Sequence, residues 1–134
     1  MKQGRTVLEA KRFGCHACYP DTPMGEVVQR LVENDISCLV VTDHDGYLTG
    51  IITRNDVLRD YLNNADWKQA SAGDYMTESV ITVQPDDLLH NVANLLVENH
   101  IHRVVVVREN DGKQKPIAVV STADLIYHLT KEID

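Results

Sequence analysis

Two short stretches carry side chains whose types and spacing could support chemistry. In the first, Cys15 and Cys18 are three positions apart and enclose His16. Thiolates and imidazoles at such spacing can hold zinc or form a redox pair, but zinc takes four ligands. Cys38 and His44 are the further candidates, and the sequence has no second Cys-x-x-Cys. Zinc or thiol chemistry through Cys15 and Cys18 is therefore kept as one alternative.

The second stretch is Thr53-x-x-Asp56, which recurs as Ser121-x-x-Asp124. Each pair follows an apolar segment and precedes a helical pattern, as a capping box does. The same groups also suit a ligand, because a hydroxyl beside free amides at a helix start suits a phosphate. A carboxylate can accept hydrogen bonds from the two hydroxyl donors of a ribose. Capping and ligand binding both remain open from these residues alone.

The recurrence belongs to an internal duplication of the chain. Leu31–Ile36 returns as Leu96–Ile101, 65 positions later, and Gly50–Leu58 returns as Ala118–Ile126, 68 positions later. The change of shift predicts a three-residue insertion, which we place in a loop at Glu109–Lys115. Because repeats are structural units, the two copies should share one fold.

Each copy is predicted to contain a helix, two strands and a second helix. Short buried strands, turn residues and helical periodicity give the following elements for the first copy: a helix after Pro20 capped by Asp21 or Thr22, strands at Cys38–Thr42 and Tyr47–Thr53, and a helix at Asn55–Asn63. The predicted inner faces are Val27, Val28, Leu31 and Val32 in one helix, and Val57, Leu58, Tyr61 and Leu62 in the other. The second copy gives a helix at Asp87–Asn99, strands at Arg103–Val107 and Pro116–Ser121, and a helix at Thr122–Glu132.

The repeat gives a structural interpretation of the cysteine pair. Cys15–Pro20 falls on Val80–Pro85, which reads as a plain strand. Positions i and i+3 of a strand point to opposite faces, so Cys15 and Cys18 should not both bind the same metal ion. One cysteine is expected in the core and the other beside a ligand.

We expect a single α/β module over residues 1–134. The first repeat should span about 10–63, a linker about 64–73, and the second repeat about 74–131. A half-unit of ~60 residues buries too little surface to be stable alone. The two sheets are therefore expected to pack together with pseudo-two-fold symmetry and a cleft on each side.

Composition narrows the range of functions. The 134 residues carry a net charge of −7 and no basic stripe, which argues against nucleic-acid binding. No apolar run approaches the ~18 residues that a membrane span needs. Three cysteines, an odd number, favour a reducing cytoplasm over a disulfide framework. No nucleophile with its base is visible locally, so we do not expect an enzyme.

Taken together, these features resemble tandem cystathionine-β-synthase (CBS) domains, the Bateman module. The resemblance rests on Gly50–Val57, on Asp74–Thr77 (Asp-Tyr-Met-Thr) and on the repeated Leu-Val-Glu-Asn-x-Ile, and it covers both repeats. It implies a fold of two β-α-β-β-α units, a homodimer and regulatory binding of AMP, ADP, ATP or S-adenosylmethionine in the clefts. The sequence shows no output domain, so a regulated enzyme or transporter is expected as partner. A ligand-free dimerisation scaffold is the alternative from another class.

The resemblance also assigns roles to particular residues. Asp56 and Asp124 would bind ribose hydroxyls. Thr53 and Ser121 would contact phosphate, and His102 with Arg103 would face the phosphate. The implied adenine pockets are lined by the short strands, at Cys18 and Val83.

Two departures from the family pattern predict unequal sites. The second copy has Ala118 in place of Gly50, and the first copy has Ala10-Lys11-Arg12 in place of the Asp-x-Met-Thr segment. In the family the His-Arg pair of one copy typically faces the Thr-x-x-Asp of the other. The better site is therefore expected to combine Thr53, Asp56 and Arg103.

Overall fold

The structure is a computed structural model that describes residues 5–7 and 14–133. The described chain forms two β-α-β-β-α units, as predicted. The first comprises β1 (Ala17–Cys18), α1 (Met24–Glu33), β2 (Cys38–Thr42), β3 (Leu48–Thr53) and α2 (Arg54–Asn63), followed by a 3-10 helix (Trp67–Gln69) and α3 (Ala72–Tyr75). The second comprises β4 (Thr82–Val83), α4 (Leu89–Glu98), β5 (Arg103–Asn110), β6 (Lys113–Ser121) and α5 (Thr122–Leu129), followed by a 3-10 helix (Thr130–Glu132).

Each unit contains one three-stranded sheet of the same topology. The orders are β1-β2-β3 and β4-β5-β6, with the short first strand parallel to the second and the second antiparallel to the third. Both long hairpins shift register at the same place, between Val41 and Thr42 and between Val106 and Val107. The duplication is therefore visible in backbone irregularities as well as in the order of elements.

The boundaries of the two compact units differ from the boundaries of the two sequence repeats. One unit is His16–Val80, and the other joins the described residues before His16 to the chain from Ile81 onward. We call these the first-repeat unit and the second-repeat unit. The segment before the first repeat therefore belongs to the second-repeat unit, and the segment before the second repeat belongs to the first-repeat unit. The predicted repeat and linker boundaries, about 10–63, 64–73 and 74–131, remain predictions.

The two flanking segments make matching contacts in their units. In the first-repeat unit, Ser71 forms an isolated bridge to Pro23, and in the second-repeat unit Thr6 forms one to Leu88. The region predicted as a linker contains Trp67, which is partly buried against the first core. The segment Ala10-Lys11-Arg12 lies outside the described residues.

An aliphatic core fills each unit. The first contains Cys18, Met24, Val27, Leu31, Leu39, Val41, Ile52 and Ala72. The second contains Val7, Val83, Leu89, Val92, Leu96, Val104, Val106, Ala118 and Val120. These side chains come from both helices and strands, so burial holds each sheet against its helix.

The repeated Leu-Val-Glu-Asn-x-Ile ends the long helix of each unit. Ile36 donates its N–H to Leu31 O at 3.1 Å, and Ile101 donates to Leu96 O at 3.1 Å. The residue before each isoleucine has a positive φ, 50° at Asp35 and 53° at His100. This is the Schellman arrangement, so the motif that helped to reveal the duplication is a helix stop.

The three-residue insertion lengthens a hairpin, which corrects the predicted loop at Glu109–Lys115. Strands β5 and β6 continue to Asn110 and Lys113. Only Asp111 and Gly112 turn, with φ of 52° and 77°. Two positive φ values match the right-handed twist of a tight hairpin, which explains why pairing extends to its tip.

The predicted inner faces of two helices were partly wrong. In α1 the buried residues are Met24, Val27 and Leu31, while Val32 is 75% exposed. In α2 the buried residues are Asp56 and Asp60, and three of the four apolar residues predicted to face inward are exposed: Leu58, Tyr61 and Leu62. The cap at the start of α2 draws Asp56 inward, and Asp60, one turn later, lies on the same face.

The predicted cap of α1 was also wrong. Pro23 occupies the cap position and makes no side-chain hydrogen bond there. The Thr22 side chain instead bonds within the turn before the helix, where its Oγ1 accepts the Tyr19 N–H at 2.9 Å. Proline at this point fixes the extended backbone that leads into the helix.

Candidate ligand-binding site

The Thr53-x-x-Asp56 motif forms a complete capping box at the start of α2. Asp56 Oδ2 accepts the Thr53 N–H at 2.8 Å and the Thr53 hydroxyl at 3.1 Å. In return, Asp56 N–H donates to Thr53 Oγ1 at 3.4 Å. The capping interpretation is therefore realised here, and the Asp56 side chain is only 7% exposed.

The Ser121-x-x-Asp124 motif repeats this geometry at the start of α5. Asp124 Oδ2 accepts the Ser121 N–H at 2.8 Å and the Ser121 hydroxyl at 3.1 Å, and Asp124 N–H donates to Ser121 Oγ at 3.2 Å. Each unit thus presents a carboxylate and a hydroxyl at the point where a sheet strand passes into a helix. Amides of a first helical turn lack partners within the helix, so this point also favours an anion.

Arg59 is a member of the first-repeat site that the sequence analysis missed. Its Nη2 donates to Asp56 Oδ1 at 2.5 Å and to Tyr75 O at 3.2 Å. Its guanidinium carbon also lies 5.8 Å from the centroid of the Tyr75 ring. The only sequence signal is an acid and a base three positions apart on a helix. In the second repeat, Tyr127 stands at the matching position.

The His102-Arg103 pair lies beside the Ser121–Asp124 motif in the second-repeat unit. Arg103 is directly opposite Ser121 in the antiparallel ladder of β5 and β6. His102 is exposed, and its carbonyl accepts the Thr122 N–H at 2.9 Å. A cation and a helix start are therefore close together within this unit.

The first-repeat unit has the same backbone arrangement without the charge. Cys38 is opposite Thr53 in the ladder, and Ser37 O accepts the Arg54 N–H at 3.2 Å. Thr53 and Asp56 belong to this unit, whereas Arg103 belongs to the other. The expected site that combines all three residues stays a prediction.

Cys18 and Val83 occupy matching positions in β1 and β4, and both are 3% exposed. Each belongs to the core of its own unit. Their predicted role in lining an adenine pocket stays a prediction. The strand predicted over Cys15–Cys18 is shorter in the structure, because β1 contains only Ala17 and Cys18.

The thiols lie in surroundings that disfavour the thiolate. Burial raises the pKa of Cys18 to about 11, although Arg30 opposes this effect. Burial also raises the pKa of Cys15. In residues 5–7 and 14–133, no three His, Cys, Asp or Glu side chains are grouped to hold a metal ion. The described geometry gives the zinc or thiol alternative no support.

Comparison with known proteins identifies the family. The sequence model of the CBS domain matches residues 14–63 and 72–131. The chain belongs to the CBS domain family and carries two copies of the domain. The resemblance and the α/β fold class predicted from the sequence are thereby confirmed.

Solved structures of CBS domain pairs share this fold. CBSX2 in complex with AMP is 26% identical, with a TM-score of 0.84 and coverage of 98% of this chain and 100% of that one. The CBS domain pair of MJ0100, in complex with 5′-methylthioadenosine and S-adenosyl-L-methionine, is 23% identical with a TM-score of 0.84, covering 95% and 97% of the two chains. At that identity the second likeness shows the fold alone.

Among curated sequences, Uncharacterized protein MJ1404 of Methanocaldococcus jannaschii is 25% identical over 119 residues, which is 89% of this chain. The chain spans only 28% of the length of that relative. Across the described ranges, no helix has both the length and the apolar composition to cross a membrane.

Proposed function

We propose that this chain is a regulatory module that binds an adenine nucleotide or S-adenosylmethionine at the helix starts of α2 and α5. The observation that carries the proposal is the matching pair of strand-to-helix junctions, each with a carboxylate and a hydroxyl joined in a capping box. A relative of the same fold, CBSX2, is described in complex with AMP. AMP is therefore the first ligand to test, followed by ADP, ATP and S-adenosylmethionine.

The chemistry of each junction fits the parts of a nucleotide. The carboxylates of Asp56 and Asp124 can accept ribose hydroxyls, and the hydroxyls of Thr53 and Ser121 can contact phosphate. The protein carries a net charge of −7, so an anionic ligand needs a local cation. Arg103 with His102 supplies that charge in the proposal, and Cys18 and Val83 lie on the strands expected beside the adenine.

The experiment is calorimetric titration of the purified protein with AMP, comparing Asp56→Ala and Asp124→Ala. We expect Asp56→Ala to reduce affinity more than Asp124→Ala, because the better site is built on Thr53 and Asp56. Hydrogen bonds between a hydroxyl and a carboxylate are worth about 1.5 to 3 kcal/mol. The lost affinity should therefore be about tenfold or more.

The loss of a cap must be separated from the loss of a ligand contact. Asp74 provides a matched control, because it forms a third capping box with Ser71 at the start of α3. Asp74→Ala should lower thermal stability and leave AMP affinity unchanged. Equal losses of affinity in Asp56→Ala and Asp124→Ala would contradict the ranking of the sites.

A ligand-free dimerisation scaffold is the second candidate, and a specific observation favours it. The hydroxyl and the carboxylate of each motif bond to their own helix start in a capping box. A ligand that binds only the folded state raises stability by about 2.7 kcal/mol at a hundredfold excess over Kd. If none of the four ligands raises the melting temperature, the scaffold is the better account.

The proposed output is a change in the geometry of a homodimer. Exposed apolar side chains on α2 and α5 give each unit a surface that a second copy can cover: Leu58, Tyr61, Leu62, Ile126, Tyr127 and Leu129. A regulated enzyme or transporter would respond to this change in geometry. We propose that the module itself catalyses no reaction. Within the described ranges Cys15, Cys18 and Cys38 form no disulfide, which supports a cytoplasmic location in the proposal.

A further inference from the structure

One side chain joins the proposed ribose carboxylate to the last residue of α3, directly before the segment that pairs with β3. Arg59 Nη2 bonds to Asp56 Oδ1 at 2.5 Å and to Tyr75 O at 3.2 Å. Two residues further on, Thr77 and Ile51 exchange two backbone hydrogen bonds, each of 2.9 Å. A contact at Asp56 is therefore connected through Arg59 to the pairing of this segment with β3.

The carboxylate of Asp56 has little remaining capacity to accept hydrogen bonds. Oδ2 accepts both the N–H and the hydroxyl of Thr53, and Oδ1 accepts Arg59. A carboxylate offers about four acceptor positions, so about one is left. A ribose presents two neighbouring hydroxyl donors, and the second must displace a donor that is already bound.

Arg59 is the donor that can leave at low cost. Its side chain is 57% exposed, so its guanidinium can move into water. The competing donors are held in place, because Thr53 ends β3 and caps α2. Hydrogen bonds to a charged group contribute about 1.5 to 3 kcal/mol each, so two ribose contacts to the Asp56 carboxylate can offset the loss of this pair.

We propose that Arg59 transmits the ligand state of Asp56 to the Thr77–Ile51 pair. A neighbouring pair of hydroxyls at Asp56 displaces Arg59, its bond to Tyr75 O is lost, and the pairing of Thr77 with Ile51 loosens. This inference rests on the proposed function, and it deepens it by naming a route of regulation. The second repeat has Tyr127 at the matching position, so the route through a cation is specific to the first.

A double-mutant cycle on the ligand-free protein tests the connection by itself. Arg59→Met removes the donor. Asp56→Asn can keep an oxygen toward Thr53 and turn its NH₂ toward Arg59, which breaks the same link. Each change should speed amide exchange at Thr77 by about two- to fivefold, and the double variant should do no more. Additive effects, or no effect of Arg59→Met, would overturn the proposal.

Lys68→Met is the charge-matched control. It removes one positive charge from the same unit, on the 3-10 helix Trp67–Gln69 rather than on α2. Exchange at Thr77 should be unchanged in this variant. A change as large as that of Arg59→Met would mean that net charge, and not the link, sets the exchange rate, and would overturn the proposal.

AMP then tests the route under the proposed function. In the wild type, saturating AMP should raise the melting temperature and still speed Thr77 exchange to the rate of Arg59→Met. In Arg59→Met, AMP should raise the melting temperature without changing Thr77 exchange. If AMP binds and Thr77 exchange in the wild type is unchanged or slower, the route is wrong while the proposed function stands. If AMP, ADP, ATP and S-adenosylmethionine all fail to bind, the proposed function and the proposed route are both wrong. This holds even if the double-mutant cycle on the ligand-free protein shows coupling between Asp56 and Arg59.

Discussion

At the scale of single residues, Asp60 is the least expected feature of the first-repeat unit. It is fully buried, and neither carboxylate oxygen has a hydrogen bond of standard geometry within the described chain. Burial raises the pKa of Asp60, and the nearby Asp74 adds to the rise, while the Asn64 amide opposes it. An ionised group in such surroundings is costly, so the protonated acid is the better-tolerated form.

We therefore expect Asp60→Asn to stabilise the protein near neutral pH. Because the folded-state pKa lies above the ordinary value of 3.8, folding favours protonated Asp60 and stability falls as pH rises from that value through the folded pKa. Asparagine has no such proton to lose. The variant should melt at a higher temperature than the wild type at pH 7, and the difference should vanish below the ordinary pKa of 3.8.

Asp66→Asn is the matched control for this measurement, because Asp66 is exposed. It should leave the melting temperature nearly unchanged at every pH. Thermal melts by circular dichroism between pH 3 and pH 8 would decide the matter. A gap between Asp60→Asn and wild type that is independent of pH would show that burial of charge is not the cause.

The site was predictable at this scale only as far as local spacing reaches. Thr53, Asp56, Ser121 and Asp124 were found because each pair lies three positions apart at a helix start, and the structure brings each pair into contact. Arg59 was missed because its significance depends on Tyr75, which is distant in sequence. The expected pairing of Arg103 with the first-repeat motif requires contacts between elements that spacing does not encode.

At the scale of elements, the junction of β3 with the segment after α3 explains Gly50. A Cβ on Gly50 would lie 2.8 Å from Met76 Sδ and 2.8 Å from Thr77 O. The oxygen belongs to backbone that pairs with Ile51, so it cannot move without breaking that pair. Glycine at this position therefore permits the close approach of two chain segments.

Gly50→Ala should destabilise the protein by about 1 to 3 kcal/mol through overpacking. Gly25→Ala is the control, since a Cβ there would meet nothing closer than 3.5 Å and Gly25 lies in α1. That change should be neutral or stabilise by up to about 1 kcal/mol, because alanine favours helix. Urea denaturation measures both. A stable Gly50→Ala would mean that the segment after α3 does not pack tightly on β3.

Elements were more predictable than the faces they bury. The strands Cys38–Thr42 and Leu48–Thr53 were found nearly to the residue, because short runs rich in Val, Ile and Thr between turn residues have few other interpretations. The hairpin β5–β6 was underestimated, since its polar tip reads as a loop until backbone pairing is seen. The face of α2 was misassigned, because an apolar stripe does not reveal whether the chain itself covers it.

At the scale of the whole molecule, the exposed apolar stripes bear on the proposed homodimer. Leu58 is 56% exposed and Ile126 is 63% exposed, and they are matching residues of α2 and α5. Exposed apolar groups of this size favour association, because association removes them from water. The double change Leu58→Glu and Ile126→Glu should convert a dimer into a monomer, as measured by light scattering.

The control for added charge is Asn55→Glu, on the exposed part of α2. It should leave the molar mass and the far-ultraviolet circular dichroism unchanged. The double variant should also keep its circular dichroism, because its altered side chains point into water within each unit. A wild type that is monomeric at micromolar concentration would contradict the homodimer directly.

The exchange of flanking segments between the units has a consequence for the order of folding during translation. The first-repeat unit is one continuous run, His16–Val80, so it is complete as soon as Val80 has left the ribosome. Gly14, in contrast, donates its N–H to Ile117 O, which is made 103 positions later. At about 5 to 20 residues per second, Gly14 waits roughly 5 to 20 s for that partner. Gly14 is thus synthesised before the first-repeat unit and reaches its final place after it.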